Sequence, residues 1–110
     1  MKQQTILNSV AAHLLKQGKK SYENGMCRYH SAEGECCAVG CLIADAEYDW
    51  RMEGNLVTRI ADMLPSRLRA HLELLRSLQI IHDDFPVEEW TRQLRKLAVR
   101  LKLKVPKGCE

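Results

Sequence analysis

Two pairs of adjacent residues in this sequence have side chains that suit ligand binding or catalysis. Arg28 carries a forked guanidinium that matches phosphate geometry, and Tyr29 beside it offers a flat ring for stacking against a base. His82 and Asp83 form a second pair, and a histidine next to a carboxylate serves as a general base or as a ligand clamp. With Tyr48 as a further aromatic ring, the predicted ligand-binding residues are Arg28, Tyr29, Tyr48, His82 and Asp83.

The cysteines are the other reactive side chains, and five of them occur in 110 residues. Four of them lie within fifteen positions: Cys27, Cys36, Cys37 and Cys41. Their spacing matches no familiar zinc pattern, and the odd total together with a weakly apolar N-terminus favours reduced thiols in the cytoplasm. We therefore predict no metal and no cofactor. A metal site that includes His30 or His82, and redox or nucleophilic chemistry at a thiol, are the alternatives.

Other residues are predicted to have structural roles. The run from Cys37 to Ala44 is apolar and rich in small side chains, which predicts a buried helix with close backbone packing at Gly40. Asp45 directly after it suits a helix cap, and Gly54 suits a turn. The predicted structural residues are Cys37, Gly40, Cys41, Asp45 and Gly54.

The periodicity of apolar residues predicts one compact α+β domain, mostly helical, with four or five helices and a small β-hairpin near residues 27–37. Residues that suit the start of a helix occur at four places: Thr5, Asn55, Ser66 and Pro86. The first helix is expected to end at Gly18. The domain is expected to span residues 1–104, with a short tail at 105–110. No apolar run approaches the ~18 residues that a membrane span needs, so we expect no membrane partner.

Charge is distributed unevenly along a chain whose net charge is only +3. Residues 31–53 hold six acidic residues and one basic residue, whereas residues 92–107 hold seven basic residues and no acidic one. An anionic partner, either a phosphate-bearing small molecule or nucleic acid, could bind the basic end. The alternative is that these bases only form the solvated face of a helix.

Two blocks of the sequence carry a resemblance to a known family. The first runs from Cys37 to Gly54 and contains Cys-Ala-Val-Gly-Cys-Leu-Ile, followed by Asp45, Tyr48 and Met-Glu-Gly. The second is a His-Asp pair that precedes Trp90. Over roughly residues 27–101 the chain resembles a family of short uncharacterised phage and prophage proteins that carry these blocks in the same order. The resemblance implies a phage origin and a bacterial host, and it implies no reaction.

Phage proteins of this size commonly act as inhibitors or regulators, so we predict a non-enzymatic counter-defence protein that sequesters a nucleotide-derived immune signal. A chain of 110 residues has little interior for a pocket, so the site is expected between protomers of a homo-oligomer. The glycine-rich phosphate loop and the Gly-x-Ser-x-Gly elbow are absent. Direct inhibition of a host defence protein is one alternative. The others are a nucleotide hydrolase that uses His82 and Asp83 with a thiol such as Cys37, and a DNA-binding regulator with arginine-rich helices.

Overall fold

The longer helices lie in the N-terminal and C-terminal parts of the chain, and the residues between them have little regular structure. The computed structural model describes residues 1–110. Its helices and strands in chain order are α1 (Gln3–Gln17), β1 (Tyr22–Glu23), β2 (Met26–Cys27), α2 (Ser66–Arg69), α3 (Leu72–Asp84) and α4 (Trp90–Arg100). Strands β1 and β2 pair antiparallel, with Tyr22 opposite Cys27. The predicted α+β class, mostly helical with one small hairpin, is confirmed.

The hairpin lies earlier in the chain than the sequence analysis placed it. Its two strands fall within residues 22–27, and residues 27–37 hold a single isolated bridge between His30 and Cys36. Asn24 and Gly25 form the connecting turn with φ angles of 52° and 79°. Tight hairpin turns of this kind require positive φ at both central residues, and Asn-Gly is the pair that tolerates it best. The Asn-Gly pair was therefore the stronger hairpin signal.

Helix α1 buries one apolar face, as its residue spacing predicts. The buried residues are Ile6, Leu7, Val10, Ala11 and Leu14. Gly18 ends the helix in the left-handed conformation, and its N–H donates to the Leu14 carbonyl. The predicted cap at Thr5 is wrong, because the helix begins at Gln3 and the Ile6 N–H already donates to the Lys2 carbonyl.

In the middle of the chain, short 3₁₀ helices are found where α-helices were predicted, at residues 37–44 and after Asn55. They cover Gly40–Leu42, Asp45–Glu47, Trp50–Met52 and Ala61–Met63. Val57, Ile60 and Leu64 are buried at helical spacing, but their backbone follows turns with bonds three residues apart, such as Met63 N–H to the Ile60 carbonyl. Apolar spacing alone does not distinguish these turns from an α-helix, so the helix expected after Asn55 is wrong.

Helices α3 and α4 supply most of the C-terminal half of the core. Trp90, Leu94 and Leu97 of α4 are buried with Leu75 and Leu78 of α3. The Trp90 indole N–H donates to the Phe85 carbonyl, which satisfies its one polar group inside the core. The helix expected from Ser66 onward is interrupted, with α2 ending at Arg69 and α3 starting at Leu72; Ser66 is the first helical residue, not the cap. A 3₁₀ turn at Val87–Glu89, preceded by Pro86, leads into α4.

The C-terminal segment packs against the body of the protein. The Gln4 side chain accepts from the Lys104 N–H at 2.8 Å and donates to the Lys104 carbonyl at 2.9 Å. Cys109 is 1% exposed and belongs to the hydrophobic core, and Pro106 is also buried. The expected tail at 105–110 is therefore a packed segment. None of the helices has the length and apolarity needed to cross a membrane.

Candidate functional site

The backbone of residues 37–42 lies directly against the backbone at Tyr29, and Gly40 makes this approach possible. A Cβ atom at Gly40 would overlap the Tyr29 carbonyl oxygen and lie 2.6 Å from its carbonyl carbon. The Gly40 carbonyl accepts from His30 Nε2 at 2.8 Å, and the Gly40 N–H donates to Cys37 Sγ. The close packing predicted from the small residues is therefore present, and it is backbone against backbone.

The Glu53 side chain connects Tyr29 and His30, which follow β2, with the side chain of Tyr48. Its carboxylate accepts from the backbone N–H groups of Tyr29 and His30 at 2.9 and 3.2 Å, and from the Tyr48 hydroxyl at 2.6 Å. The Tyr48 ring stacks on the His30 ring with centroids 4.4 Å apart. Burial raises the pKa of the Tyr48 hydroxyl, and the Glu53 carboxylate adds to this effect. Glu53 is a structural residue that the sequence analysis missed.

Asp45 and Gly54 were both predicted to have structural roles, and only Gly54 has the predicted role. Gly54 adopts a φ angle of 77°, as expected of a glycine in a turn. The predicted cap at Asp45 is wrong, because its side chain is fully exposed and lies 3.6 Å from His30 Nδ1. Glu47 binds the Ala44 N–H instead, because its longer side chain reaches back one turn.

His82 is fully buried, and its hydrogen bonds determine which ring nitrogen carries the proton. The Ser21 backbone N–H donates to Nε2 at 3.0 Å, so Nε2 must be an acceptor. The proton therefore lies on Nδ1, which donates to Asp83 Oδ1 at 2.7 Å. The Asp83 Oδ1 atom also accepts from Gln79 Nε2 at 2.8 Å. His82 thus orients Asp83, and its own ring has no nitrogen available to a ligand.

Cys27 completes a cluster with His82 and Asp83, whose potential metal-binding atoms lie within 4.8 Å of one another. A metal on His82 Nδ1 would displace the proton there and would turn an Nε2–H toward the Ser21 N–H. This hydrogen-bond arrangement therefore disfavours a metal at the imidazole. Burial, followed by the charge of Asp83, raises the pKa of the Cys27 thiol to about 11. A thiol in this environment is a weak nucleophile at neutral pH.

The two cysteines predicted to be structural also pack as thiols. Cys37 is buried, and burial raises its pKa. Burial raises the pKa of Cys41 to about 12, and its Sγ donates to the Ala38 carbonyl at 3.2 Å. The hydrolase hypothesis needs an activated thiol beside a free imidazole, and these surroundings favour neither.

Two cavities meet at Arg28, and we call them together the Arg28 cleft. One has a volume of about 290 Å³ and the other about 520 Å³, and they share Met26, Arg28 and Asn55 as lining residues. Arg28 Nε is buried without a hydrogen-bond partner, although it lies 3.4 Å from Glu23 Oε1. The distance allows attraction between the charges but the geometry is not that of a hydrogen bond, so the guanidinium keeps donor capacity.

The Arg28 cleft contains three of the five predicted ligand-binding residues. Arg28, Tyr29 and Asp83 line it. The Tyr29 side chain is only 5% exposed, and its hydroxyl donates to the Asn55 carbonyl at 2.7 Å, so much of the ring belongs to the core. His82 lies behind Asp83, and Tyr48 lines neither cavity but positions Glu53.

Trp50 is the most exposed large apolar residue of the cleft, and the sequence analysis did not select it. It is 75% exposed and lines the larger cavity beside Arg28. The available signal was its position between Asp49 and Arg51, outside any periodic apolar pattern. Arg51 is already bound to the Asp49 carboxylate, which leaves Arg28 as the cation of the cleft with free donors.

Comparisons with known proteins give no relative on which a function could be based. No family model matches the chain, and no curated protein or solved structure matches it significantly. The predicted phage relationship therefore stays a prediction, and the function has to be argued from the geometry of the chain.

Proposed function

We propose that this chain binds a nucleotide-derived ligand in the Arg28 cleft and releases it unchanged. The observation that carries the proposal is the Arg28 guanidinium, which lies between two cavities and forms no hydrogen bond, with Glu23 Oε1 at 3.4 Å as its ion-pair partner. The terminal nitrogens of this guanidinium can donate charge-assisted hydrogen bonds to a phosphate oxygen.

The two cavities offer different chemistry on either side of Arg28. Trp50 presents an exposed indole in the larger cavity, where a purine or pyrimidine ring can stack. In the smaller cavity, Asp83 Oδ1 accepts from Gln79 and His82, and the Cys27 thiol also contacts the Asp83 carboxylate. No N–H group of the protein donates to Oδ2, so a ribose hydroxyl or a base amino group can share this carboxylate with the thiol. A ligand whose phosphate lies between a base and a group with hydrogen-bond donors would fit Trp50, Arg28 and Asp83 in this order.

Carboxylates near the cleft limit the negative charge that it can accept. The Glu53 oxygens are occupied by the Tyr29 and His30 N–H groups and by the Tyr48 hydroxyl, which disperses their charge. Asp83 and Glu23 still face the same region. We therefore expect a ligand with one or two phosphate charges, such as a cyclic dinucleotide, to bind better than a nucleoside triphosphate.

The state of the reactive groups supports binding without turnover. The His82 imidazole has both nitrogens in internal hydrogen bonds, and the neighbouring Cys27 thiol has a raised pKa. Neither group is therefore well placed to activate a water molecule or to attack a bound phosphate. Together with the resemblance to phage proteins, this supports sequestration of a nucleotide immune signal in the bacterial cytoplasm as the biological role.

Calorimetry with cyclic and adenine-containing dinucleotides tests the binding. Arg28→Ala should weaken binding roughly ten- to hundredfold, the loss expected for a charge-assisted bond. Arg59→Ala is the matched control, because Arg59 is exposed and forms no ion pair. Trp50→Ala should also weaken binding. Mass spectrometry of the ligand recovered after denaturation should show it intact, and a cleaved product would replace this proposal with the hydrolase.

Inhibition of a host protein is the second candidate, and a specific surface favours it. Met26, Trp50 and Leu56 are 45%, 75% and 72% exposed around the cleft. Exposed large apolar residues grouped in this way are typical of protein interfaces. A photo-crosslinking residue placed at Leu56 in host cells should then trap one host protein, and Trp50→Ala should abolish the crosslink. This outcome, with no binding of any nucleotide, would favour the inhibitor.

A further inference from the structure

A second groove, with a different set of lining residues from the Arg28 cleft, lies between α3 and α4. It has a volume of about 530 Å³. Its apolar lining comes from Ile80, Ile81, Phe85 and Leu97. Ile80 is 40% exposed, so an apolar side chain of α3 stands open to the solvent at this groove. None of the residues used in the proposed function lines it.

The polar lining of this groove carries only positive charge. Lys96 and Arg100 lie on its α4 side, and no acidic residue lines it. Neither cation takes part in an ion pair, and Arg100 makes only a long contact of 3.5 Å with the Ser77 hydroxyl. Arg100 and Lys96 are both exposed, so both side chains can reach a partner placed over the groove.

The lining residues of α4 follow one side of the helix over two turns. Gln93, Lys96 and Arg100 are three and four positions apart, which places them in a row about 10 Å long. The apolar lining residues lie beside this row, with Leu97 on α4 and Ile80 and Ile81 on α3. A groove of this length accommodates two or three apolar side chains from a helix turn of another chain.

We infer that this groove is a docking site for an acidic amphipathic segment of a partner protein. Apolar side chains of the partner segment would cover Ile80 and Phe85, and its carboxylates would pair with Lys96 and Arg100. Because the charged residues of the groove are positive, charge complementarity favours a negatively charged partner. The apolar floor favours a peptide over nucleic acid, because phosphates gain nothing from covering Ile80 and Phe85 is the single aromatic ring here for bases to stack on.

Fluorescence anisotropy with defined peptides tests this inference independently of nucleotide binding. The probe is a labelled twelve-residue peptide with leucines three and four positions apart and glutamates at most other positions. A peptide in which every glutamate is replaced by lysine is the control probe, and a labelled oligothymidine tests for nucleic acid. We expect the acidic peptide alone to bind at micromolar to millimolar concentration.

Two charge-reversal variants locate the binding surface. K96E combined with R100E should weaken binding of the acidic peptide by at least about tenfold, and Ile80→Ser should weaken it by about fivefold. K104E combined with K107E makes the same change in net charge at exposed positions outside the groove, and it should change binding by less than about twofold. Thermal unfolding checks that each variant is folded. Equal losses in both double variants, tighter binding of oligothymidine, or no binding of the acidic peptide would each overturn the inference.

Discussion

Residues 19–64, which we call the Arg28 region, and the C-terminal helices α3 and α4 are stabilised in different ways. Residues 19–64 contain only a two-stranded hairpin and short 3₁₀ helices, and side chains bound to backbone groups hold these loops together. Helices α3 and α4 instead satisfy their backbone groups internally and join through buried apolar side chains. Both regions contribute buried apolar side chains, but the first also depends on individual polar contacts to its backbone, whereas the second depends mainly on the total of many similar apolar contacts.

This difference indicates where each region tolerates substitution. A carboxylate that accepts three hydrogen bonds, or a glycine in close backbone contact, has no substitute of the same shape and chemistry, so its loss destabilises the fold. Apolar side chains of similar volume replace one another at small cost. The predictions below test this contrast, beginning with the substitution that should have the largest effect.

Gly40→Ala should destabilise the fold by at least about 3 kcal/mol, because the new Cβ overlaps the Tyr29 carbonyl and backbone must move. Gly18→Ala is the control, since nothing lies within 4 Å of its Cβ and only the positive φ is strained, at about 1–2 kcal/mol. Chemical denaturation measures both. Equal losses would show that the close contact at Gly40 has little energetic weight.

Glu53→Gln should cost about 2–3 kcal/mol, because one of the two carboxylate oxygens that accept three hydrogen bonds becomes a donor. Glu89→Gln should cost less than about 0.5 kcal/mol, because Glu89 only forms a 3.4 Å surface pair with Arg92. The same denaturation assay compares the two. A small loss at Glu53 would mean that the Arg28 region is not held by its polar contacts.

Leu78→Met should cost less than about 1.5 kcal/mol, although Leu78 is fully buried in α3. Methionine has a similar volume and a flexible side chain, so it can fill the same space between the helices. The thermal midpoint should fall by only a few degrees. A loss as large as that of Gly40→Ala would remove the contrast between the two regions.

Alkaline pH should also destabilise the fold, because thiols and tyrosines of the Arg28 region have raised pKa values. The pKa of Cys27 is raised from 9.0 to about 11, so above pH 9 the unfolded chain loses a proton that the folded protein keeps. The contribution of Cys27 to stability is therefore full below pH 9 and declines as the pH rises toward 11. Cys27→Ala should make this decline shallower in denaturation curves between pH 8 and 10.5, and an unchanged slope would assign it to other groups.

Regular helices that bury an apolar stripe could be predicted from the sequence. Helix α1 and its end at Gly18 are present as expected, and α1 and α4 each bury one apolar face. The prediction failed between Asn55 and Leu64, where turns place apolar side chains at the same spacing as an α-helix. Periodicity reports which side chains are buried, and it does not report which backbone bonds bring them there.

The candidate site, too, could be predicted from the sequence only in part. Arg28 and Asp83 could be selected from their chemistry, and the small residues around Gly40 indicated a close backbone contact. Local sequence contains this information because residue type sets donor capacity, charge and the space that a backbone needs. The partners that define the site come from distant parts of the chain: Ser21 fixes the proton on His82, and Glu53 binds the Tyr29 N–H. Such pairings depend on the folded path of the backbone, so no local pattern in the sequence encodes them.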